Sequence, residues 1–304
     1  MKHLVFFNKC VILLLLFFFF DLLFSIVLIN GLKKSADFNQ NPEILINGSS
    51  MAGSGFNRQE IEKLTGNHVT IYTQEGVSVF DRFAMINHFF HMYPAGIKTV
   101  IYEVSPVLLS DTKTSVNVYT LFFPFMDDKT INSYIKENAS PREYYVHKII
   151  RTTRFKSRSF ISIVSGYLGM FGNVKTNTLD TTALVPLISE KGKKEIIIQQ
   201  ANREIFENTM DTILSYNSNI VLVMMPMYYI KFQTFNGDSY KNLCSYFENY
   251  CSVRKGIRFI DLNHDSLIFN PGYFSDQLHF NVYGQRRITK IISSYIVENK
   301  NKSN

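Results

Sequence analysis

The chain has 304 residues, of which 46% are hydrophobic and 19% charged, enough apolar content for one large core in one or two domains. Lys and Arg exceed Asp and Glu by 32 to 25, which suits contact with an anionic surface without identifying one. The sequence has neither a Walker phosphate-binding loop nor a G-x-G-x-x-G motif, which excludes the nucleotide-binding classes that depend on them.

The N-terminal segment is a predicted membrane anchor. From Cys10 to Asn30 the chain is almost uninterruptedly apolar for about 20 residues, enough to cross a hydrocarbon core of roughly 30 Å. A cleaved signal peptide is the alternative, but its apolar region normally covers about 7 to 15 residues and ends at a small-residue site, which SIVLINGLKK lacks. We therefore expect residues 1–31 to be a cytoplasmic tip and an uncleaved signal anchor, followed by a linker at 32–42. Asp21 either faces a partner helix or a dimer mate, or is simply tolerated.

Residues 43–304 are predicted to form an extracytoplasmic α/β domain. The predicted strands are Glu43–Gly48, His68–Thr73, Lys98–Val104, Asn219–Pro226 and Ile257–Leu262. Helical patterns lie at 58–64, 79–93, 195–215, 240–250 and 284–298. This alternation predicts a doubly wound, flavodoxin-like sheet of five parallel strands, with ligands at the carboxyl ends of the strands.

A helical insertion is predicted at about residues 107–194. Within it, Tyr144–Arg158 combines apolar helical spacing with a basic stripe, and Phe160–Phe171 is an apolar run too short to span a bilayer. The basic stripe consists of Lys148, Arg151, Arg154 and Arg158. Residues 142–203 hold eleven Lys or Arg and four Asp or Glu, an excess equal to the net charge of +7. We predict that this segment docks onto the membrane surface; the alternatives are a solvated basic face, contact with an anionic glycan, or packing on the domain's own core.

Two segments carry residues suited to nucleophilic catalysis. Ser50 follows the first strand, where a tight turn into a helix can present its hydroxyl, although a serine there is also an ordinary helix N-cap. Asp276 and His279 follow the last strand, and their spacing lets the carboxylate orient the imidazole that takes the serine proton. The order Ser, then Asp-x-x-His, on one sheet therefore predicts a catalytic triad.

These segments resemble the blocks of the SGNH/GDSL hydrolase superfamily over most of residues 43–298. ILINGSSMAGSG is similar to the first block, with Ser50 as nucleophile and Ser49 in place of the Asp, and DQLHFNVYG resembles the last block. The resemblance implies the SGNH fold and an oxyanion hole formed by the N–H groups of Ser50 and Gly76. In the third block the usual G-x-N-D is replaced by EVSP, where Ser105 is a possible substitute donor.

The sequence has G-S-S in the first block, lacks the Asn of the third block and carries a predicted N-terminal anchor. In these features it looks like the envelope branch of the superfamily, which includes teichoic acid D-alanyl transfer proteins and alginate-type O-acetylation proteins. That resemblance implies a membrane-anchored serine esterase or O-acyltransferase acting on an acylated surface polysaccharide or a small acyl ester, often beside a membrane-bound O-acyltransferase. A non-catalytic scaffold or glycan-binding subunit of an envelope assembly is the alternative. We expect no metal, no organic cofactor and no nucleic-acid partner.

Several histidines and cysteines outside the predicted triad carry less specific signals. His88 and His91 are spaced for a metal but have no accompanying carboxylates, and His264 with Asp265 is expected to form a turn. Cys244 and Cys251 are predicted to form a disulfide, with two buried thiols as the alternative.

Overall fold

The computed structural model describes residues 2–36, 38, 41–110, 118–169, 175–182, 184 and 192–301, except the side chains of residues 158 and 299–301. Residue contacts divide the chain into two compact units. One comprises Met1–Asn39 and Tyr119–Phe171, and the other comprises Gln40–Val118 and Gly172–Asn304. We call them the anchor unit and the sheet unit. The domain boundaries expected from the sequence stay a prediction.

The sheet unit contains five parallel strands, as predicted. They are β1 (Ile44–Gly48), β2 (Val69–Thr73), β3 (Thr99–Val104), β4 (Asn219–Met224) and β5 (Ile257–Asp261). Their order is β2-β1-β3-β4-β5, the flavodoxin-like arrangement, in which the winding reverses between β1 and β3. Every residue of β1, and all but the first of β3 and of β4, is buried, which is typical of a parallel sheet covered on both faces.

Helices connect and cover these strands. In the sheet unit they are α2 (Ser50–Gly55), α3 (Arg58–Thr65), α4 (Val79–Met92), α8 (Gln200–Ser215), α9 (Tyr229–Phe232), α10 (Gly237–Ser252) and α11 (Val282–Asn301). Helix α4 contacts α8, whereas α11 contacts α2 and α3, so two separate helical groups pack around the sheet. The predicted α/β class and doubly wound sheet are confirmed.

The anchor unit contains α1 (Lys2–Ala36), α5 (Lys129–Asn138), α6 (Pro141–Ile149) and α7 (Ser157–Leu168). Helix α1 is long and apolar enough to cross a membrane, which confirms the predicted span by length and composition. Its cytoplasmic N-terminus stays a prediction.

The prediction of one helix over Tyr144–Arg158 is wrong. Helix α6 ends at Ile149, a 3₁₀ turn follows at Arg151–Arg154, and α7 begins at Ser157. The physical reason lies far away in the chain: the Asp21 carboxylate of α1 accepts the backbone N–H groups of Arg151 and Thr152, at 2.7 and 2.9 Å. These two N–H groups are thereby capped as the start of a new helical turn. The side chain of Arg158 and the end of the apolar run at Phe171 lie outside the described residues.

The predicted long helix before β4 also begins later than expected. Residues 195–199 are not helical, and their backbone is fixed instead by contacts with other segments. The Ile196 N–H donates to Ser239 Oγ, and the Gln199 N–H donates to the carbonyl oxygen of Leu109. Helix α8 therefore starts at Gln200, because tertiary hydrogen bonds take the preceding N–H groups.

The predicted disulfide between Cys244 and Cys251 is wrong. Both cysteines are free and lie on the single helix α10, seven positions apart. Seven residues of α-helix rise about 10 Å, beyond the Cα separation of roughly 4.4 to 6.8 Å that a disulfide tolerates. Burial raises the pKa of the Cys244 thiol to about 12 and that of Cys251 to about 11.

Both thiols are therefore expected to react slowly in the folded protein. Iodoacetamide at pH 8 should alkylate Cys244 and Cys251 only slightly in the native state and completely in urea without a reductant, because a raised pKa keeps them as thiols. Mass spectrometry of tryptic peptides measures both states. A pair that is alkylated only after reduction would contradict the helical geometry.

Candidate active site

The candidate nucleophile lies at the point where the winding of the sheet reverses. Strand β1 ends at Gly48, Ser49 caps α2 by accepting the Met51 N–H on its Oγ, and Ser50 is the first residue of the helix. Backbone N–H groups in the first turn of a helix have no intrahelical acceptor, so a developing negative charge beside Ser50 finds donors there. The local sequence thus builds a strand-turn-helix that presents the Ser50 hydroxyl at the carboxyl edge of the sheet.

The loop before α11 carries the other two members of the predicted triad. Phe274 and Phe280 are buried, form an antiparallel bridge, and have ring centroids 5.1 Å apart. Between them the Asp276 carboxylate accepts the N–H groups of Leu278 and His279, both at 2.9 Å. The loop is therefore fixed at its base by aromatic packing and at its tip by the carboxylate that orients the imidazole.

The structure brings all three triad residues together. Ser50 Oγ lies 2.8 Å from His279 Nε2, and His279 Nδ1 lies 2.8 Å from Asp276 Oδ2. Because a carboxylate only accepts hydrogen bonds, Nδ1 carries the proton in this contact, and an unprotonated Nε2 accepts the hydrogen bond from the Ser50 hydroxyl. This is the connectivity that a serine nucleophile and its general base need.

The electrostatics of Asp276 suit this role. Burial alone would raise the pKa of Asp276, but the hydrogen bonds from the Leu278 N–H, the His279 imidazole and the His279 N–H outweigh it and hold the pKa below its ordinary value. The carboxylate therefore stays ionised near neutral pH, as a group that orients an imidazole must.

A buried ion pair that sequence reasoning missed supports the turn at Ser49. Glu103, near the end of β3, accepts the Ser49 N–H on Oε2 at 2.7 Å and pairs with Arg82 of α4 at 2.6 Å. Both charged side chains are almost fully buried, with exposures of 0% for Glu103 and 2% for Arg82. Arg82 also donates to the backbone carbonyl of Glu103. Glu103 thus links the end of β1 to β3, the two strands between which the winding reverses, immediately before Ser50.

The close approach of the Glu103 carboxylate to this turn also requires a glycine at position 48. A Cβ added there would lie 2.8 Å from Glu103 Oε2 and 2.7 Å from the Cβ of Ala52, distances that side chains do not tolerate. The glycine therefore lets the Glu103 carboxylate approach the turn. In the sequence, Glu103 is notable only as part of the EVSP segment that replaces the third block. Its contact with Ser49 spans 54 positions, so no local pattern indicated it.

Lys175 is a second residue that sequence reasoning missed. Its Nζ lies 3.2 Å from Asp276 Oδ2, and its carbonyl oxygen accepts the Val282 N–H at 3.0 Å. Asn177 donates from Nδ2 to the carbonyl oxygen of Ser275 at 3.0 Å. Residues 175–177 therefore run along the loop that carries Asp276 and place one cation at the edge of the site.

The structure also describes the other two predicted oxyanion donors, Gly76 and Ser105. Gly76 is exposed and adopts a positive φ of 73°, and Ser105 is buried just after β3. Neither is hydrogen-bonded to Ser50 in the part of the chain that the structure describes. Their roles as oxyanion donors stay predictions.

The weaker histidine candidates have structural partners. The buried His88 has its Nδ1 3.0 Å from Tyr72 Oη, and the exposed His264 pairs with Asp261 at 3.2 Å rather than with Asp265. Asp265 instead accepts the Leu267 N–H and so caps a 3₁₀ turn. Among the described residues there is no group of three or more His, Cys, Asp or Glu side chains placed to hold a metal ion.

Comparisons with known proteins give structural matches alone. No protein-family profile and no curated protein matches the chain. A solved structure of a candidate platelet activating factor from Streptococcus pneumoniae is similar to it, with 12% identity, a TM-score of 0.40, and coverage of 95% of this chain and 98% of that chain. A candidate acylhydrolase from Bacteroides fragilis matches with 11% identity, a TM-score of 0.42, and coverage of 87% and 94%.

A third match is the C-terminal catalytic domain of the peptidoglycan O-acetyltransferase OatA from Streptococcus pneumoniae, solved with a methylsulfonyl adduct. It has 11% identity, a TM-score of 0.36, and coverage of 86% of this chain and 95% of that chain.

Proposed function

We propose that this chain is a membrane-anchored serine esterase or O-acyltransferase that forms an acyl-Ser50 intermediate. The observation that supports this most is the continuous hydrogen-bonded series from Ser50 Oγ through His279 to Asp276, with distances of 2.8 and 2.8 Å. A serine that served only as a helix cap would need no imidazole at its hydroxyl, and here the neighbouring Ser49 performs the capping.

The first half-reaction transfers the acyl group to the enzyme. Ser50 Oγ attacks the ester carbonyl carbon while His279 Nε2 takes the hydroxyl proton, giving a tetrahedral oxyanion. The N–H groups of Ser50 and Gly76, with Ser105 as a further donor, are the proposed oxyanion hole. Collapse of the intermediate breaks the bond to the leaving alkoxide, which receives the proton from His279.

The second half-reaction releases the acyl group. Water or a sugar hydroxyl gives its proton to His279 Nε2 and attacks the acyl carbon, and Ser50 leaves with that proton restored. Asp276 stays a carboxylate throughout and stabilises the imidazolium. Water as acceptor makes the protein an esterase, and a sugar hydroxyl makes it an O-acyltransferase.

The proposed substrate is an acylated cell-surface polysaccharide or a small acyl ester. The support is the anchor helix α1, which is long and apolar enough to hold the chain at a membrane. Extracytoplasmic exposure of the sheet unit and a membrane-bound O-acyltransferase as partner are parts of the same proposal. OatA, whose catalytic domain is one structural match, is named as an O-acetyltransferase of peptidoglycan.

Burst kinetics test the acyl-enzyme step. Full-length protein in detergent, mixed with p-nitrophenyl acetate, is expected to release p-nitrophenolate in a fast phase equal to the concentration of active sites, followed by a slower steady phase. Adding a soluble sugar oligomer then decides between transfer and hydrolysis, because the acetyl group is recovered either on sugar hydroxyls or as free acetate. Release no faster than in buffer, by protein shown to be folded, would favour the non-catalytic scaffold instead.

A further inference from the structure

Helix α7 packs closely against the anchor helix. Its buried residues Ile163 and Gly166 face α1, and a Cβ added at Gly166 would lie only 2.1 Å from the carbonyl oxygen of Gly31. The Tyr167 hydroxyl donates to the carbonyl oxygen of Val27 at 2.7 Å. Two backbones that meet through glycines, with a polar side chain bonding to a helix carbonyl, are the contacts that helices use within membranes.

The polar end of this contact involves Asp21. Its carboxylate accepts the N–H groups of Arg151 and Thr152 and the Thr152 hydroxyl. Asp21 is the sole acidic residue of α1 and is only 5% exposed. A partner helix or dimer mate is therefore not needed to satisfy it, because the turn before α7 supplies the donors.

The side of α7 that faces away from α1 is also apolar. Phe160, Ile161, Val164 and Leu168 recur at helical spacing and are between 47% and 66% exposed. A helix that packs on a soluble core normally shows polar residues on this side. Since both sides of α7 are apolar, its outward side suits hydrocarbon rather than water.

We propose that α7 is a second membrane element, whose outward side lies in lipid beside α1, in the leaflet from which the chain continues into the sheet unit. With 12 residues α7 is about 18 Å long, too short to cross a core of roughly 30 Å. The anchor is then a composite of one spanning helix and one helix that enters a single leaflet.

Lipid is the occupant because the outward side of α7 continues an apolar surface that α1 already presents. Leu22, Phe24 and Val27 of α1 are exposed beside the segment that α7 contacts. A protein partner on this side of α7 would also have to cover the adjoining apolar surface of α1.

Tryptophan fluorescence tests the proposal in the full-length chain, since the sequence contains no Trp. Single variants Ile161→Trp and Val164→Trp are reconstituted in phosphatidylcholine–phosphatidylglycerol vesicles with and without brominated acyl chains. Phe17→Trp in α1 is the lipid-exposed reference, and Val253→Trp, at a position 76% exposed in the sheet unit, is the reference in the other compact unit. Quenching of both α7 probes comparable to Phe17→Trp is expected, with Val253→Trp unquenched.

Two results would overturn the proposal. Emission from Ile161→Trp that is as solvent-exposed and unquenched as that of Val253→Trp would show that α7 lies in water. Blue-shifted emission without quenching would show that protein, such as a second copy of the chain, covers this side.

A second substitution tests whether α1 holds α7 in place. Gly166→Val in the Ile161→Trp background is expected to reduce the quenching, because the added side chain would collide with the Gly31 carbonyl. Ser165→Val, one position away, is the matched control and should keep it. Equal quenching in both variants would show that the close contact with α1 does not place α7.

Discussion

Ser50→Ala and His279→Ala are each expected to lower kcat for p-nitrophenyl acetate by roughly 10⁴- to 10⁶-fold without unfolding the protein. The reason is that the Ser50 hydroxyl and His279 Nε2, 2.8 Å apart, act as one unit, so that Ser50→Ala removes the nucleophile and His279→Ala removes its base. Steady-state assays, with thermal melts to confirm folding, measure the effect.

The matched control lies on the same helix as the nucleophile. Ser54 donates its hydroxyl to the carbonyl oxygen of Met51 and accepts the Phe280 N–H at 3.4 Å, and Ser54→Ala removes an equally small group that is not hydrogen-bonded to a triad side chain. Its kcat should stay within a few-fold of the parent protein. Asp276→Asn is expected to cost less than Ser50→Ala, about 10⁴-fold, since the imidazole remains but loses the carboxylate that fixes its tautomer. Retained activity in Ser50→Ala or His279→Ala would refute the triad.

Arg82→Met is expected to destabilise the protein by about 3 to 5 kcal/mol, because it leaves the Glu103 carboxylate buried without its cation. Unfolding in urea, followed by circular dichroism, measures the loss. The double variant Arg82→Met with Glu103→Gln should recover much of it, since the glutamine is neutral and its oxygen can still accept the Ser49 N–H.

An exposed ion pair provides the control for the same substitution. Arg203 pairs with Glu207 on the surface of α8 at 2.8 Å, and Arg203→Met should leave the unfolding midpoint close to that of the parent protein. If Arg82→Met changed stability no more than Arg203→Met, the buried pair would not hold the turn before Ser50.

The sheet and the placement of Ser50, Asp276 and His279 could be predicted from the sequence because each depends on short patterns. Apolar runs of six to eight residues between helical segments indicated the five strands, and the Asp-x-x-His spacing placed Asp276 beside His279. The order of these segments then determined that Ser50 and His279 meet at one edge of the sheet, although 229 positions separate them.

The residues that prediction missed depend on long-range contacts. Arg82 and Glu103 lie on different elements, and Lys175 reaches Asp276 across 101 positions. The break between α6 and α7 follows from Asp21, 130 positions upstream of Arg151. Helical periodicity is continuous across that break, so a local pattern predicted one helix where tertiary hydrogen bonds produce a turn.

Covalent labelling by a fluorophosphonate tests the central claim most directly, because the reagent phosphonylates a serine only when a neighbouring base activates its oxygen. Full-length protein in detergent, confirmed as folded by its thermal melt, is treated with the probe, digested and mapped by tandem mass spectrometry. The expected result is one adduct, on Ser50, that disappears in Ser50→Ala and forms far more slowly in His279→Ala. A folded protein that never labels, or that labels elsewhere while Ser50 stays free, would contradict the assignment of Ser50 as the nucleophile.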